Sequence, residues 1–433
     1  MISLNKNDFM FYLLFLTPFL IIPGIAIIEL SCLFLILFFF FKNRNFDYYK
    51  NSKFIFLIIF SIYLAINAFF QINDNLRISS FFFFRFCFLS LSIFFILELC
   101  ENISNKNKAN LLFIIILLNI FIFFDSHLQF ITGKNVLGFE IIRATISSFF
   151  GSELILGSFL IKLLPIISFL FFFSNIEIKK YFFLLTIFFS LFFSVIFIAG
   201  GRTPFFLMIL FIFLSIFFIK DLRNIFYSSL IILIIYISSN FIFEFGKSNP
   251  ENRIFIKTFN QITNNFFLKK RDLNLKGGED VNKIELKKEI KIFSSNHHGH
   301  YVLAYKLFRE NPIWGIGPKG FRHYCRGVNY DPPIGICSTH PHNFLIQIML
   351  ETGLVGLIFY LSAIIFVVLK LFKAYLLKNT SVWKNCFLTI SLGLIVNFFP
   401  FVPSGNFFNN WISITNYYYV GVYMFSYKKV FNL

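Results

Sequence analysis

The stretch FFLLTIFFSLFFSVIFIAGGRTPFFLMILFIFLSIFFIK, residues 182–220, decides the fold. It consists of two long apolar runs joined by GGRTP, Gly200–Pro204. An apolar helix of roughly 17–25 residues crosses the approximately 30 Å hydrocarbon layer of a bilayer. Because glycine and proline interrupt regular structure, and the one charged side chain of residues 182–219, Arg202, lies at the junction, this stretch predicts two membrane-spanning helices with a tight turn between them.

Similar apolar runs fill most of the chain. Of its 433 residues, 57% are hydrophobic and 14% are charged, about half the charged fraction of a typical soluble domain. We therefore predict an all-α membrane helix bundle with about twelve spans and one long, partly helical outer loop. Its regions are 1–243 with about nine spans, the loop 244–343, and 344–433 with about three spans. The predicted spans are 9–22, 24–41, 54–70, 79–98, 109–124, 153–174, 181–199, 203–219, 224–243, 344–369, 384–400 and 410–427.

The direction of every span depends on the first two, which meet at Pro23-Gly24 and form either a hairpin or one kinked helix. With a hairpin and an inward N-terminus, the predicted cytoplasmic segments hold 17 Lys and Arg residues and the short outward loops hold four. This asymmetry is the one that the positive-inside rule describes. It places the loop 244–343 outside, and it explains the net charge of +18 as topology, so nucleic-acid binding is not expected.

Two outward helix starts carry polar side chains where a span begins. In GGRTP, Thr203 is predicted to cap a helix and Pro204 to lie in its first turn, which places Arg202 at the N-terminus. In STHPHN, residues 338–343, the predicted cap is Thr339 or His340. Pro341 would then begin the helix, with His342-Asn343 in its first turn.

Such helix starts favour anions, since they present unpaired N–H groups and positive partial charge. If the two starts converge, they would form a site suited to a diphosphate. The same positive end disfavours an imidazolium ion, so His342 is expected to be neutral and able to accept a proton.

The histidines and cysteines of the loop allow alternatives. His340 and His342 could only cap a helix, or they could bind a metal together with His297, His298 and His300. Carboxylates at ligand spacing are lacking, so no metal is expected. In an oxidising compartment Cys325 and Cys337 are expected to form a disulfide, with two free thiols as the alternative.

Around these residues the sequence resembles the O-antigen ligase and polymerase superfamily. The ligase pattern is His, then Asn, Ser or Gln, nine residues, and Gly-x-x-Gly. Here His342-Asn343 is followed by nine residues and then by Gly353-Leu-Val-Gly356. Further stretches that are similar to the family are HLQFITGKNVLG at 127–138, FFGSELILGSFL at 149–160, NPIWGIGPKGFR at 311–322 and PSGNFFNNW at 403–411.

The resemblance implies a metal-independent membrane glycosyltransferase without a cofactor, in the bacterial inner membrane and with its site facing the periplasm. Its donor would be a glycan on undecaprenyl diphosphate, and its acceptor a lipid A-core sugar. A polymerase, which would use a second lipid-linked glycan as acceptor, is the close alternative. A flippase or polysaccharide transporter is less favoured, because polar groups concentrate in one outward loop rather than deep in the spans. Membrane lipids are the remaining partners.

The resemblance also implies roles for individual residues. His342 would take the proton of the acceptor hydroxyl, and Arg202 would hold the diphosphate. The family uses a further loop arginine, for which Arg253 and Arg322 are candidates. This chain has His297-His298-Gly299-His300 where many members carry an arginine, so that second ligand stays open. The supporting residues would be Asn343, His340 and His298.

Overall fold

The computed structural model describes residues 6–71, 83–260, 295–326, 338–378 and 381–431. These residues form fourteen α-helices, and their only extended pairings are two isolated bridges in 134–145. The predicted all-α class is confirmed. The helices are α1 Lys6–Leu16, α2 Ile25–Lys42, α3 Ser52–Gln71, α4 Phe84–Leu99, α5 Asn105–Thr132, α6 Leu156–Phe173, α7 Phe182–Ile198, α8 Arg202–Phe218, α9 Lys220–Phe243, α10 Ser295–Glu310, α11 Phe321–Arg326, α12 Phe344–Leu376, α13 Val382–Asn397 and α14 Asn410–Phe431.

Helices α1–α9 and α12–α14 coincide with the twelve predicted spans. By length and composition, six of the described helices could cross a membrane: α2, α3, α5, α6, α9 and α12; α7, α8 and α13 are shorter apolar helices. Helix α6 lies at the centre, since 89% of its apolar window is buried, whereas only 17% of that of α12 is buried. The chain is thus a multi-pass membrane protein, and the division into three regions stays a prediction.

The first two spans form a hairpin, as the charge distribution predicted. The hydroxyl groups of Thr17 and Ser31 lie 2.9 Å apart, and the rings of Phe9 and Phe34 have centroids 6.3 Å apart. These contacts pair α1 with α2 in opposite directions. Gly24, with φ of +138°, makes the turn between them.

The interhelical polar contacts separate the two ends of the bundle. At one end, Lys428 Nζ is 2.5 Å from Glu98 Oε1, and Asn385 donates to Asp221 at 2.6 Å. At the other end, Glu29 accepts a hydrogen bond from Asn410. This arrangement is the one that twelve alternating spans require. That the second end faces outward remains a prediction from loop charge.

Helix α12 is broken at Gly353, where φ is +62° and ψ is −165°. The segment 312–317 fills the break: Ile316 N donates to Leu350 O at 3.0 Å, and Leu354 N donates to Pro312 O at 2.9 Å. A Cβ atom at Gly353 would collide with the carbonyl oxygen of Ile313. The loop before α12 is therefore hydrogen-bonded into the helix itself.

Glu351 holds the rest of that loop. Its fully buried carboxylate accepts hydrogen bonds from Lys319 N at 2.9 Å, from Phe321 N at 3.2 Å and from the Gln347 amide at 3.0 Å. A buried carboxylate needs such donors to offset its lost hydration. These bonds fix α11, which begins at Phe321, against the first turns of α12.

Candidate functional site

Helix α12 begins at Phe344, and Asn343 caps it. The Asn343 Oδ1 atom accepts a hydrogen bond from Ile346 N at 3.0 Å, and its Nδ2 donates to Pro400 O at 2.7 Å. The prediction that Thr339 or His340 caps the helix, with Pro341 and His342 inside it, was wrong. Asparagine is a strong N-cap, and here its amide also binds the segment after α13.

His342 precedes the cap and adopts a left-handed conformation, with φ of +57°. Its carbonyl accepts a hydrogen bond from Ser404 N at 2.8 Å. A hydrogen bond of 3.0 Å joins its Nε2 atom to Ser338 Oγ. The ring centroid lies 4.1 Å from that of His340 and 5.2 Å from that of His300. Three imidazoles from α10 and the 338–342 segment thus form a histidine cluster.

His340 is the buried member of the histidine cluster. Its ring nitrogens form hydrogen bonds with Thr339 Oγ1 at 3.0 Å and with Ser404 O at 3.3 Å. Burial is the main cause that lowers the pKa of His340 to about 3, and the neighbouring titratable groups of His342, His300 and Arg322 add to it. The ring is therefore neutral at physiological pH, and it adds no charge beside His342.

Arg322, the second residue of α11, lies close enough to the histidine cluster for its charge to act on His340. The Nε atom of Arg322 is buried and has no hydrogen-bond partner in the described part of the chain. Burial, together with the charges of Arg322 and Arg85, lowers the pKa of Lys319. This crowding of positive charge favours an anionic ligand next to the histidines.

Arg202 is the first residue of α8, and Gly201 takes the cap position without a side-chain bond. The prediction that Thr203 caps the helix was therefore wrong by two positions, whereas Pro204 does lie in the first turn. The reason is that Gly200 adopts φ of +69° and turns the chain early. Arg202 is thus at the helix N-terminus, as predicted.

Arg253 joins Arg202 in an arginine cluster that also contains Arg143. Arg253 Nη1 donates to Arg143 O at 2.8 Å and also binds the Thr145 hydroxyl group. Burial is the main cause that lowers the pKa of Arg253, and the charges of Arg202 and Arg143 add to it. The cluster therefore concentrates positive charge beside the start of α8.

A polar network positions Arg143. Asp125, fully buried in α5, accepts hydrogen bonds from Val136 N at 2.9 Å and from Ser148 Oγ at 2.5 Å. Gln129 Oε1 accepts from Ser148 N at 2.8 Å. These bonds fold residues 133–150 over the C-terminal end of α5, and the turn at Arg143 consequently reaches Arg253.

The two clusters lie at the same end of the bundle. The ring of Phe206, one turn into α8, is 5.8 Å from that of Phe399, and the neighbouring Pro400 binds Asn343. The structure brings Arg202 together with Arg253, and His342 together with His340 and Arg322. Arg322 is the arginine whose charge acts on His340.

Residues 185–361 match the family model described as O-Antigen ligase. This segment is therefore similar to O-antigen ligases, and we call residues 185–361 the O-antigen ligase domain. The resemblance to the O-antigen ligase and polymerase superfamily is therefore confirmed, and the family indicates a glycosyltransferase-like enzyme. No curated protein matches the sequence significantly.

The O-antigen ligase domain begins within α7 and ends within α12. It contains Arg202, Arg253, Arg322 and His342, whereas Arg143 lies outside it. Sequence reasoning missed Arg143, Lys319 and Glu351 as parts of the site. Glu351 had a detectable signal, because a carboxylate within an apolar span needs a partner.

Two other predicted residues of the O-antigen ligase domain, His298 and Cys337, fall partly or wholly outside the described part of the chain. For His298 this concerns the side chain, and for Cys337 the whole residue. Cys325 is disulfide-bonded, whereas Cys32, Cys87, Cys100 and Cys386 are free. Its pairing with Cys337 stays a prediction. The described residues contain no group of three or more His, Cys, Asp or Glu side chains that could hold a metal ion.

Proposed function

We propose that this chain is an O-antigen ligase, which transfers a glycan from undecaprenyl diphosphate to a lipid A-core hydroxyl group at the periplasmic face of the inner membrane. One observation carries the proposal. The O-antigen ligase domain contains a histidine cluster and an arginine cluster that meet the same end of the bundle. The first can accept a proton, and the second can bind a diphosphate.

The arginine cluster suits the leaving group. The charges of Arg202 and Arg143 act unfavourably on Arg253, and the two negative charges of a bound diphosphate would offset that repulsion. Arginine also presents a planar fork of donors that matches phosphate oxygens. Bound in this way, the diphosphate departs with its developing negative charge already compensated.

His342 is the proposed base. In the proposed step, the acceptor oxygen forms a bond to the anomeric carbon of the donor sugar while the bond from that carbon to the diphosphate oxygen breaks. The hydroxyl proton passes to an imidazole nitrogen of His342, and the electron pair of the broken bond leaves with the diphosphate. Because His340 stays neutral, it does not repel the imidazolium that forms beside it.

Arg322 is the candidate for the second phosphate ligand beside the histidine cluster. Its buried Nε atom lacks a hydrogen-bond partner among the described residues, and its charge helps to lower the pKa of His340. Arg253, in contrast, is committed by one guanidinium nitrogen to the turn at Arg143. We therefore assign Arg253 to the arginine cluster. We assign Arg322 to binding a phosphate of the donor beside His342.

Deletion of the gene in its own host, followed by complementation, tests the function. We expect unattached, full-length polymer in the deletion strain and restored transfer to lipid A-core with the wild-type chain. Single repeat units on lipid A-core would instead identify a polymerase. Loss of periplasmic donor would point to transport and contradict the proposal.

A further inference from the structure

The lysines near the end of α14, at the end opposite the two clusters, are of two kinds. Lys428 and Lys429 pair with Glu98 and Glu101. Lys53, Lys370 and Lys373 form no ion pair within the described residues. Positive charge at this end is expected from topology alone. Topology does not explain why only two of these five lysines are paired with a carboxylate.

The three unpaired lysines form a lysine cluster over two adjacent rings. The Nζ atoms of Lys53 and Lys370 lie 3.9 and 5.6 Å from the centroid of Tyr427. Those of Lys370 and Lys373 lie 5.5 and 5.6 Å from the centroid of Phe431. The two rings are 4.7 Å apart, so three ammonium groups share one aromatic surface.

An apolar cleft opens beside the lysine cluster. It has a volume of about 440 Å³ and lies between α3, α12 and α14, with Lys53 in its wall. Phe359, whose ring is 5.4 Å from those of Phe56 and Phe60, lines the cleft further from the lysines. The volume falls within the range of roughly 300–1,000 Å³ that is usual for ligand sites.

The cleft lies where lipid can reach it. On α12, Ile365 and Leu369 are 56% and 63% exposed in a helix that crosses the membrane, so this side of the helix faces hydrocarbon. Hydrocarbon chains are therefore the molecules available to fill an apolar cleft here. A phosphate next to the mouth would supply the negative charge that the lysine cluster lacks.

We propose that this cleft binds an anionic phospholipid, with an acyl chain between α3, α12 and α14 and the headgroup phosphate at the lysine cluster. Basic pockets between membrane helices on the cytoplasmic side bind anionic headgroups in this manner. The lysine cluster, where the headgroup would bind, lies at the end of the bundle opposite the glycan-transfer site. The proposal does not depend on the proposed transfer reaction.

Native mass spectrometry of the full chain tests this proposal, with phosphatidylglycerol and phosphatidylethanolamine offered in turn. We expect selective retention of phosphatidylglycerol, and about tenfold or greater loss of it when Lys53, Lys370 and Lys373 are all changed to Gln. A matched triple variant, Lys42→Gln, Lys106→Gln and Lys179→Gln, removes the same charge from exposed positions at the same end. It should retain the lipid.

A second variant tests the apolar part of the site. Ala363 lines the cleft, and Ala363→Phe should displace the acyl chain while leaving every lysine in place. Excess inorganic phosphate should not displace the lipid, because it lacks the chain. Equal loss in the two triple variants, equal retention of the two lipids, or full retention by Ala363→Phe would each overturn the proposal.

Discussion

Helices α8 and α12 both begin at the same end of the bundle, but they begin differently. Before α8, Gly200 takes the left-handed conformation, and Gly201 caps without a side chain. Before α12, His342 takes that conformation, and Asn343 caps with its amide. Glycine adopts positive φ without steric cost, whereas a residue with a Cβ atom is destabilised by roughly 1–2 kcal/mol.

This difference indicates which side chain each helix start positions. At α8 the two glycines form the turn, and the side chain that follows them, Arg202, provides a positive charge at the helix N-terminus. At α12 the histidine itself is held in the strained conformation, fixed on one side by Ser404 and on the other by the Asn343 cap. Strain of this kind, kept where glycine would serve the backbone better, is typical of functional positions.

The largest effect is expected from removing the imidazole. His342→Ala should lower glycan transfer by about 10²–10⁴-fold, because a positioned base is lost. His342→Asn separates chemistry from conformation, since asparagine tolerates positive φ well. Transfer to lipid A-core in membranes is the measurement, with the exposed His323→Ala as control. An active His342→Asn protein would mean that position 342 serves only the turn.

The next effect is expected at the start of α8. Arg202→Ala should reduce transfer by about 10²–10³-fold, because a donor to the leaving group disappears. Arg202→Lys should recover part of this loss, since it keeps the charge but not the planar fork. The assay compares initial rates at equal membrane expression, and Arg309→Ala on α10 is the control. Full activity of Arg202→Ala would remove the diphosphate role.

A third positive-φ position sharpens the comparison, because it interrupts a helix rather than starting one. Gly353→Ala should destabilise the protein by about 3 kcal/mol, from backbone strain and from the collision with Ile313. Gly138→Ala, with φ of +84° but open space around the added atom, should cost about 1 kcal/mol. Thermal unfolding in detergent measures both. Similar melting temperatures would show that the break at Gly353 has no steric origin.

The smallest effect concerns acid. Burial lowers the pKa of His340 to about 3, so between pH 6.5 and 3 the unfolded chain binds a proton there that the folded chain does not. Stability should therefore fall as the pH decreases through this window, by on the order of 2 kcal/mol at pH 5. His340→Gln should show a smaller drop in melting temperature from pH 7 to pH 5. An identical drop in both proteins would contradict a neutral, buried His340.

The spans could be predicted because a membrane helix is specified by a local property, the length of an apolar run. Even the hairpin at Pro23-Gly24 followed from counting charges on the loops. The position of Arg202 at a helix start could be predicted equally locally, because GGRTP contains both the turn and the first helical turn.

The cap of α12 could not be predicted in the same way. Several residues of 338–343 can cap a helix, and the choice of Asn343 depends on Pro400, which lies 57 positions away in the sequence. Similarly, Arg143 reaches Arg253 only because Asp125 and Gln129 fold the intervening loop. Contacts of this range leave no periodic pattern in the sequence.

The ladder of hydrogen bonds across Gly353 has a consequence for biogenesis. Without residues 312–321, the first turns of α12 would carry an unsolvated carboxylate at Glu351 and an unpaired carbonyl at Leu350. Such groups oppose partitioning from the translocon into lipid. We therefore expect α12 to insert into the bilayer only after residues 312–321 have docked onto it, so that docking of this loop and insertion of the last three helices are a single event.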